Sequence, residues 1–221
     1  GVAAFVNAVV NLRQVAQVPS TRLDIASIPS RYLAIFANPR AKFCFLAVFL
    51  EGVAVFGLFP FVALLLLSAG EPRASIAGLV IAGFSIGGVA YSLAIAPLTR
   101  RWQPREFMLG GSIVAAVAFA VVAFDPPWPV QFAAFVVMGI GFYLLHGCIQ
   151  VEASELSTVS RGTAVSLHAL FFFTGHSVGP VLYSLGFAYL GASPSVLLGG
   201  LLMLITGVMC AHTLRRRRGE V

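Results

Sequence analysis

Charged residues are scarce in this chain. They make up 10% of its 221 residues, whereas 59% are hydrophobic and the mean hydropathy is +0.94. An ordinary soluble domain carries about 25% charged residues. The composition therefore excludes a typical soluble protein and predicts an all-α polytopic membrane protein, with the lipid bilayer as its surroundings. A net charge of +6 could attract nucleic acid to a soluble protein. In a membrane protein the positions of the charges matter more than their sum, and we expect no nucleic-acid partner.

Cysteine is also rare, and the motifs of most enzymes are missing. The three cysteines are Cys44, Cys148 and Cys210, each within an apolar run and without C-x-x-C spacing. The sequence therefore predicts neither a disulfide framework nor a metal site. No metal spacing links the four histidines, and no phosphate-binding G-x-x-x-x-G-K-[ST] loop occurs. We expect no cofactor, no metal and no enzymatic activity.

Six apolar runs are long enough to cross a bilayer, which takes about 20 helical residues. They are predicted at residues 43–67, 75–98, 107–124, 128–151, 162–190 and 194–214. The connections between them are short, which favours antiparallel packing of successive helices. Before them, residues 1–12 look like the end of a truncated transmembrane helix and residues 13–42 like a basic cytoplasmic linker. Residues 43–214 would form the transmembrane bundle, and residues 215–221 a basic cytoplasmic tail.

The distribution of lysine and arginine predicts the orientation. If the linker is cytoplasmic, thirteen of the fourteen basic residues lie on the cytoplasmic side and only Arg73 lies outside. Cytoplasmic loops of membrane proteins carry such an excess, so we expect both termini in the cytoplasm. The thirteen residues are Arg13, Arg22, Arg31, Arg40, Lys42, Arg100, Arg101, Arg105, Arg161, Arg215, Arg216, Arg217 and Arg218.

One segment occurs twice. Residues 83–93 read GFSIGGVAYSL and residues 175–185 read GHSVGPVLYSL, with seven of eleven positions identical and an eighth carrying Ile or Val. The copies fall in the second and fifth predicted spans, three crossings apart, so they should run in opposite directions. Two inverted three-helix repeats are typical of secondary transporters, whose substrate site lies near the membrane midplane. The alternative is a chance match between two glycine- and serine-rich helices.

These features resemble the C-terminal half of a major facilitator superfamily transporter, helices seven to twelve, nearest to the drug:proton antiporter branch. The connection at residues 96–105, APLTRRWQPR, resembles the family's loop motif G-x-L-a-D-R-x-G-R-[RK] at Leu98, Arg101 and Arg105. Arg100 replaces the aspartate of that motif. Gly175-x-x-x-Gly179-Pro180 is similar to the core of the antiporter motif G-x-x-x-G-P. The resemblance implies a missing N-terminal six-helix half, a small-molecule substrate, alternating access and a bacterial inner membrane.

Glu51 is the most informative side chain because it falls near the centre of the first complete span. A carboxylate there costs roughly 2.5–3.5 kcal/mol to insert, so it should face a cavity or a partner. Loss of hydration disfavours its charged form, and Glu51 could therefore bind and release a proton near neutral pH. Coupling to protons or to a cationic substrate is one interpretation. A structural hydrogen bond to a neighbouring helix is the other.

Three histidines are further candidates for substrate or proton coupling. His146 lies in the fourth span at a depth close to that of Glu51, so that a pair could form and titrate together. His168 and His176 share one stripe of the fifth span, with His176 at its middle. The alternatives are a histidine that only caps a neighbouring helix and, for His176, a hydrogen bond to a carbonyl freed by Pro180.

Glycine and proline mark candidate packing and gating positions. The pairs Gly83-x-x-x-Gly87 and Gly175-x-x-x-Gly179 allow close approach of helix backbones. Pro60 and Pro180 each remove a helical hydrogen bond and could act as hinges. Taken with these positions and the candidate residues, the resemblance to the drug:proton antiporter branch implies proton-coupled efflux of a small molecule by alternating access. A channel-like or accessory six-helix protein is the alternative, and an intramembrane enzyme built on Glu51 and the histidines is a third hypothesis.

Overall fold

The computed structural model describes residues 28–214, and this part of the chain contains helices and no strands. A short helix, α1 (Ile28–Ala37), precedes six long ones. These are α2 (Ala41–Ser68), α3 (Ala74–Leu98), α4 (Pro104–Ala123), α5 (Trp128–Ser154), α6 (Arg161–Tyr189) and α7 (Ala192–Thr213). Each is long and apolar enough to cross a membrane. The predicted truncated helix at 1–12, most of the linker and the tail at 215–221 lie outside the described residues.

Local chemistry accounts for the helix ends. Pro104 begins α4, where a missing N–H costs nothing, and the backbone N–H of Gln103 donates to the Glu106 carboxylate at 2.6 Å to complete a capping box. Gly191, with φ of 91°, precedes α7 in the left-handed region that glycine adopts without strain. The predicted linker also contains α1, whose Ile35 is fully buried against the bundle.

Helix α2 is interrupted near Pro60. It is α-helical over Ala41–Glu51, π-helical over Gly52–Phe56, 3₁₀-helical over Phe59–Phe61 and α-helical again over Val62–Ser68. The N–H of Gly57 donates to the carbonyl of Gly52, five residues earlier, which is the π pattern. Proline has no N–H to donate to the preceding turn, and the chain is 3₁₀-helical rather than α-helical where Pro60 lies.

The glycines of the first repeated segment pack α3 against α5. Gly83 lies against the carbonyl of Phe132, and Gly88 lies against the ring of Tyr143. The later residue of α3 thus contacts the later residue of α5. Helices α3 and α5 are therefore parallel.

The second repeated segment packs α6 against α2 in an equivalent way. Gly175 lies against the backbone of Gly52, and Gly179 lies against the backbone of Gly57. These contacts also advance in the same direction, so α2 and α6 are parallel.

Helices α2 and α5 cross in opposite directions, since Glu51 contacts His146 whereas Phe59, further along α2, contacts the earlier Phe135. Residues 83–93 on α3 and residues 175–185 on α6 consequently run antiparallel to one another. The expectation of two inverted three-helix repeats is confirmed: α2–α4 form one repeat and α5–α7 the other. Helices α4 and α7 close the bundle as an antiparallel pair, with Gly200 against Ala116 and Gly207 against Ser112.

Most of the basic residues that the structure describes lie at one end of the bundle. This end carries the connections at residues 99–103 and 155–160, together with Arg40, Arg100, Arg101, Arg105 and Arg161, and we call it the basic end. The opposite end carries the connections at residues 69–73 and 124–127.

Candidate functional site

Glu51 is the last residue of the α-helical part of α2, directly before the π-helical segment. Its side chain is fully buried. A carboxylate withdrawn from both lipid and water needs a partner, because an unpaired buried charge costs far more than a hydrogen bond supplies. The structure provides one on α5.

That partner is His146. Its Nδ1 lies 2.9 Å from Oε2 of Glu51, within hydrogen-bond distance. The Glu51 side chain is 0% exposed and that of His146 is 13% exposed, so the imidazole is the member of the pair with access to the surface. The second carboxylate oxygen, Oε1, has no hydrogen-bond partner among residues 28–214. A buried pair with one free oxygen can hold a proton in more than one arrangement.

His168 approaches this pair from α6. Its ring centroid lies 5.2 Å from that of His146, and the side chain is buried. Its Nε2 finds no hydrogen-bond partner within the described part of the chain. His168 therefore adds a third titratable group beside Glu51 without being fixed by a hydrogen bond at that nitrogen.

His176 is held by aromatic rings rather than by a backbone carbonyl. It stacks on Phe56 with ring centroids 3.9 Å apart and the planes 17° apart, and it meets the ring of Phe172 edge-on at 4.3 Å. The hydrogen bond to a carbonyl freed by Pro180, expected as an alternative, is not formed by Nε2, which has no partner in residues 28–214.

His176 is joined to the other candidates through Phe172, whose ring centroid lies 4.9 Å from that of His146 and 4.3 Å from that of His176. We call Glu51, His146, His168 and His176 the Glu–His cluster. Phenylalanine rings line it. Phe56 contacts Phe84, Phe142 and Phe172 edge-to-face, with centroids 5.3 to 5.6 Å apart. The ring of Phe142 also stacks on His146 at 4.8 Å. An apolar aromatic lining strengthens every electrostatic interaction inside it, since little water screens the charges.

The glycine pairs bring the helices of this site together. A Cβ added at Gly179 would lie 2.6 Å from the Cα of Gly57 and 2.7 Å from the carbonyl oxygen of Val53. Gly87 similarly meets the backbone of Gly139 on α5. The two repeated segments therefore press against the helices that carry Glu51 and His146. Pro60 is exposed at the break in α2, and Pro180 lies inside a continuous α6.

In each repeated segment a tyrosine follows the second glycine by four residues. The sequence alone indicated no role for these tyrosines. The hydroxyl of Tyr183 donates to the carbonyl of Ala54, inside the π-helical segment, at 2.9 Å in a buried position. The equivalent Tyr91 stacks on Tyr143, and its hydroxyl lies beside Gly147, next to His146. The shared spacing Gly-x-x-x-Gly-x-x-x-Tyr could have indicated this arrangement, since it places all three residues on one helix face.

The basic end holds a second polar contact that the sequence did not predict. Arg40, directly before α2, forms an ion pair with Glu152 near the end of α5. The amide of Asn38 donates to the carbonyl of Leu156 at 3.1 Å. Together they attach the segment between α1 and α2 to the end of α5 and to the connection that follows it. The loop-motif residues Arg100, Arg101 and Arg105 are exposed at the same end.

The described residues contain neither a metal cluster nor the nucleophile turn of a hydrolase. They contain no group of three or more His, Cys, Asp or Glu side chains that could hold a metal ion. Both repeated segments spell G-x-S-x-G, but each lies within a continuous helix, and Ser177 donates to the carbonyl of Phe173 one turn earlier. The nucleophile of a hydrolase sits instead on a sharp strand-to-helix turn.

Comparison with known families decides the class of the protein. The family model described as Major Facilitator Superfamily matches residues 43–221, which is most of the chain. The chain belongs to the major facilitator superfamily. Members of this superfamily are membrane transporters, and the six spans of α2–α7 agree with half of its fold. No curated protein and no solved structure matches the chain significantly.

Proposed function

We propose that this chain serves proton-coupled efflux of a small molecule by alternating access, with Glu51 and His146 binding the proton. The observation that carries the proposal is the fully buried Glu51 carboxylate, hydrogen-bonded to His146 in the interior of a membrane-spanning bundle. A carboxylate there is costly, and structural packing alone would be served as well by an apolar residue.

The geometry supports a cycle of protonation. With Glu51 ionised and His146 protonated, the two form an ion pair. With one proton fewer, a negative charge remains in an apolar lining, and with one more, the pair becomes net positive. Each change alters the attraction between α2 and α5, the first helices of the two repeats. His146 exchanges protons with the surface because it is the partly exposed member of the pair.

Antiport follows if the substrate and the proton compete for the same carboxylate. The substrate side of the site would be formed by Phe172 and His176, which are partly exposed beside the buried Glu51. A carboxylate among aromatic rings favours an aromatic cation, through charge pairing and cation–π contact. The resemblance to the drug:proton antiporter branch points in the same direction.

The transporting unit we propose contains a second six-helix bundle, the N-terminal half of the superfamily's fold. Helices α3 and α6 are the least buried of the six spans. Their outward faces carry apolar residues such as Val89, Leu93 and Val181. These helices flank the Glu–His cluster, so a second half packed on them would enclose it. We further propose that the basic end faces the cytoplasm of a bacterial inner membrane, with both termini on that side.

The test is transport by the full-length protein in everted membrane vesicles, with ethidium as an aromatic cation probe. Wild-type protein should move ethidium when a pH gradient is imposed, and Glu51→Gln should abolish this movement while the protein remains folded. A wild-type protein that moves no ethidium under a pH gradient would contradict cation efflux. Unchanged pH-driven transport in Glu51→Gln would remove Glu51 from the mechanism.

A further inference from the structure

The π-helical segment of α2 separates two residues of the site that must face the same way. Glu51 precedes this segment and contacts His146, and Phe56 ends it and stacks on His176. Residues five apart in an α-helix are turned about 140° from each other, at 3.6 residues per turn. Hydrogen bonding from i to i+5 brings such residues close to one face. The wide turn thus allows both contacts at once.

One side chain from another helix binds inside this turn. The Tyr183 hydroxyl donates to the carbonyl of Ala54, the central residue of Gly52–Phe56, at 2.9 Å. Tyr183 is only 5% exposed, and its hydroxyl lies against Gly199 of α7. The hydroxyl is therefore placed between α2 and α7. A buried carbonyl that accepts this bond no longer depends on an α-helical partner.

We propose that Tyr183 is a positioning residue for the Glu–His cluster, holding the π-helical turn that orients Glu51 toward His146 and Phe56 toward His176. Without its hydroxyl, α2 shifts toward the regular α-helical register. The part of α2 that carries Glu51 then rotates relative to the part that carries Phe56, by about 100° for one residue of register. Only the expected effect on transport rests on the proposed function. The positioning of Glu51 against His146 does not depend on it.

The repeat supplies a matched control. Tyr91 is the counterpart of Tyr183 on α3, at the same place after its two glycines. Its hydroxyl makes no hydrogen bond to any residue in 28–214, and the helix it faces, α5, is regular over Trp128–Ser154. Removal of the Tyr91 hydroxyl perturbs the same kind of interface without affecting a π-helical turn.

The test is infrared titration of the Glu51 carboxyl group in the purified full-length protein, with Glu51→Gln identifying its band. Other titratable groups near Glu51 are unchanged in the variants at Tyr183 and Tyr91, so they affect these titrations equally. They are His146, Cys148, His168, His176 and Cys210. In Tyr183→Phe we expect the midpoint of the titration to move by about half a pH unit or more, because the hydrogen bond to His146 is weakened. Tyr91→Phe should keep the wild-type midpoint.

A purely structural role for Tyr183 would lower thermal stability and leave the midpoint in place, and that result would overturn the inference. If Tyr183→Phe does not fold, 4-fluorophenylalanine at the same position removes the donor and nearly preserves the shape, with the same expected shift. The titration needs no substrate, so its outcome is separate from that of the transport assay. A shifted midpoint together with normal pH-driven transport in Glu51→Gln would support the positioning and contradict the proposed function.

Discussion

Glu51 and His146 form a hydrogen bond that joins the two inverted repeats. Glu51 lies on α2, the first helix of one repeat, and His146 lies on α5, the first helix of the other, with Oε2 and Nδ1 2.9 Å apart. Because the hydrogen bond bridges two helices of different repeats, a small relative tilt of these helices would separate the groups. A change in the charge of either side chain therefore acts on the contact between the repeats.

This relationship predicts that Glu51 and His146 act as a unit. Glu51→Gln and His146→Gln should each lower pH-driven transport by at least about 100-fold, the lower range for loss of a proton-transferring group. The double variant should be little worse than either single variant, because contacting residues are not additive. Initial rates in everted vesicles at several pH values measure this. Additive losses would show that the two side chains act separately.

Glu71→Gln is the control for a lost carboxylate. Glu71 lies in the connection at residues 69–73, where hydrogen bonds from Arg73 hold the pKa of Glu71 at about 2. A carboxyl with a lowered pKa stays ionised as the pH falls, until the pH approaches that value. Glu71 is therefore charged throughout the pH range of the transport assay, and its replacement should leave the pH profile unchanged.

A methyl group at Gly179 should separate α2 from α6. The added Cβ would meet backbone atoms of Gly57 and Val53, which cannot move aside as a flexible side chain can. We expect Gly179→Ala to destabilise the protein by about 1–3 kcal/mol, as overpacking does. Gly78→Ala in α3 is the control, because nothing lies within 4 Å of its Cβ position. That substitution should be neutral or stabilising by up to about 1 kcal/mol. Thermal unfolding in detergent measures both, and equal stabilities would contradict the close approach.

The ion pair between Arg40 and Glu152 predicts a charge-reversal rescue. Glu152 is buried and Arg40 is about one-third exposed, so loss of either partner should cost about 1–3 kcal/mol, between the values for exposed and buried pairs. Arg40→Glu and Glu152→Arg should each increase proteolysis in the connection at residues 155–160. The double variant restores an ion pair and should return cleavage to the wild-type rate. Cleavage as fast in the double variant as in the single ones would argue against the pair.

Much of the fold could be predicted because the bilayer leaves few choices. The ends of the six helices lie within three residues of the predicted spans, since charged residues and proline limit the apolar runs. The inverted repeat followed from the glycine segments and an odd number of crossings. The meeting of Glu51 with His146 could be stated only as a possibility, because similar depth does not determine which helix faces come together.

The π-helical segment could not be predicted from the sequence. Pro60 predicted a disturbed helix, but not that the wide turn would lie at Gly52–Phe56, before the proline. Its position depends on the glycine contacts with α6 and on the bond from Tyr183 to Ala54, which are long-range. The ion pair of Arg40 was missed for a similar reason. The short helix α1 packs on the bundle through Ile35, and Asn38, directly after α1, bonds to the connection that follows α5.

His176 offers a test in which transport should fall without a loss of stability. Its ring stacks on Phe56 while Nε2 is buried without a hydrogen-bond partner among the described residues, an arrangement that costs about 1–3 kcal/mol. The first repeat has Phe84 at the equivalent position. His176→Phe keeps an aromatic ring for the stack and removes the unsatisfied nitrogen, so thermal stability should stay the same or rise. If the imidazole contacts substrate or relays a proton, ethidium transport should fall at least about tenfold, since general acid–base groups contribute more than that. Retained transport with raised stability would make His176 a packing residue and confine the site to the other three members of the cluster.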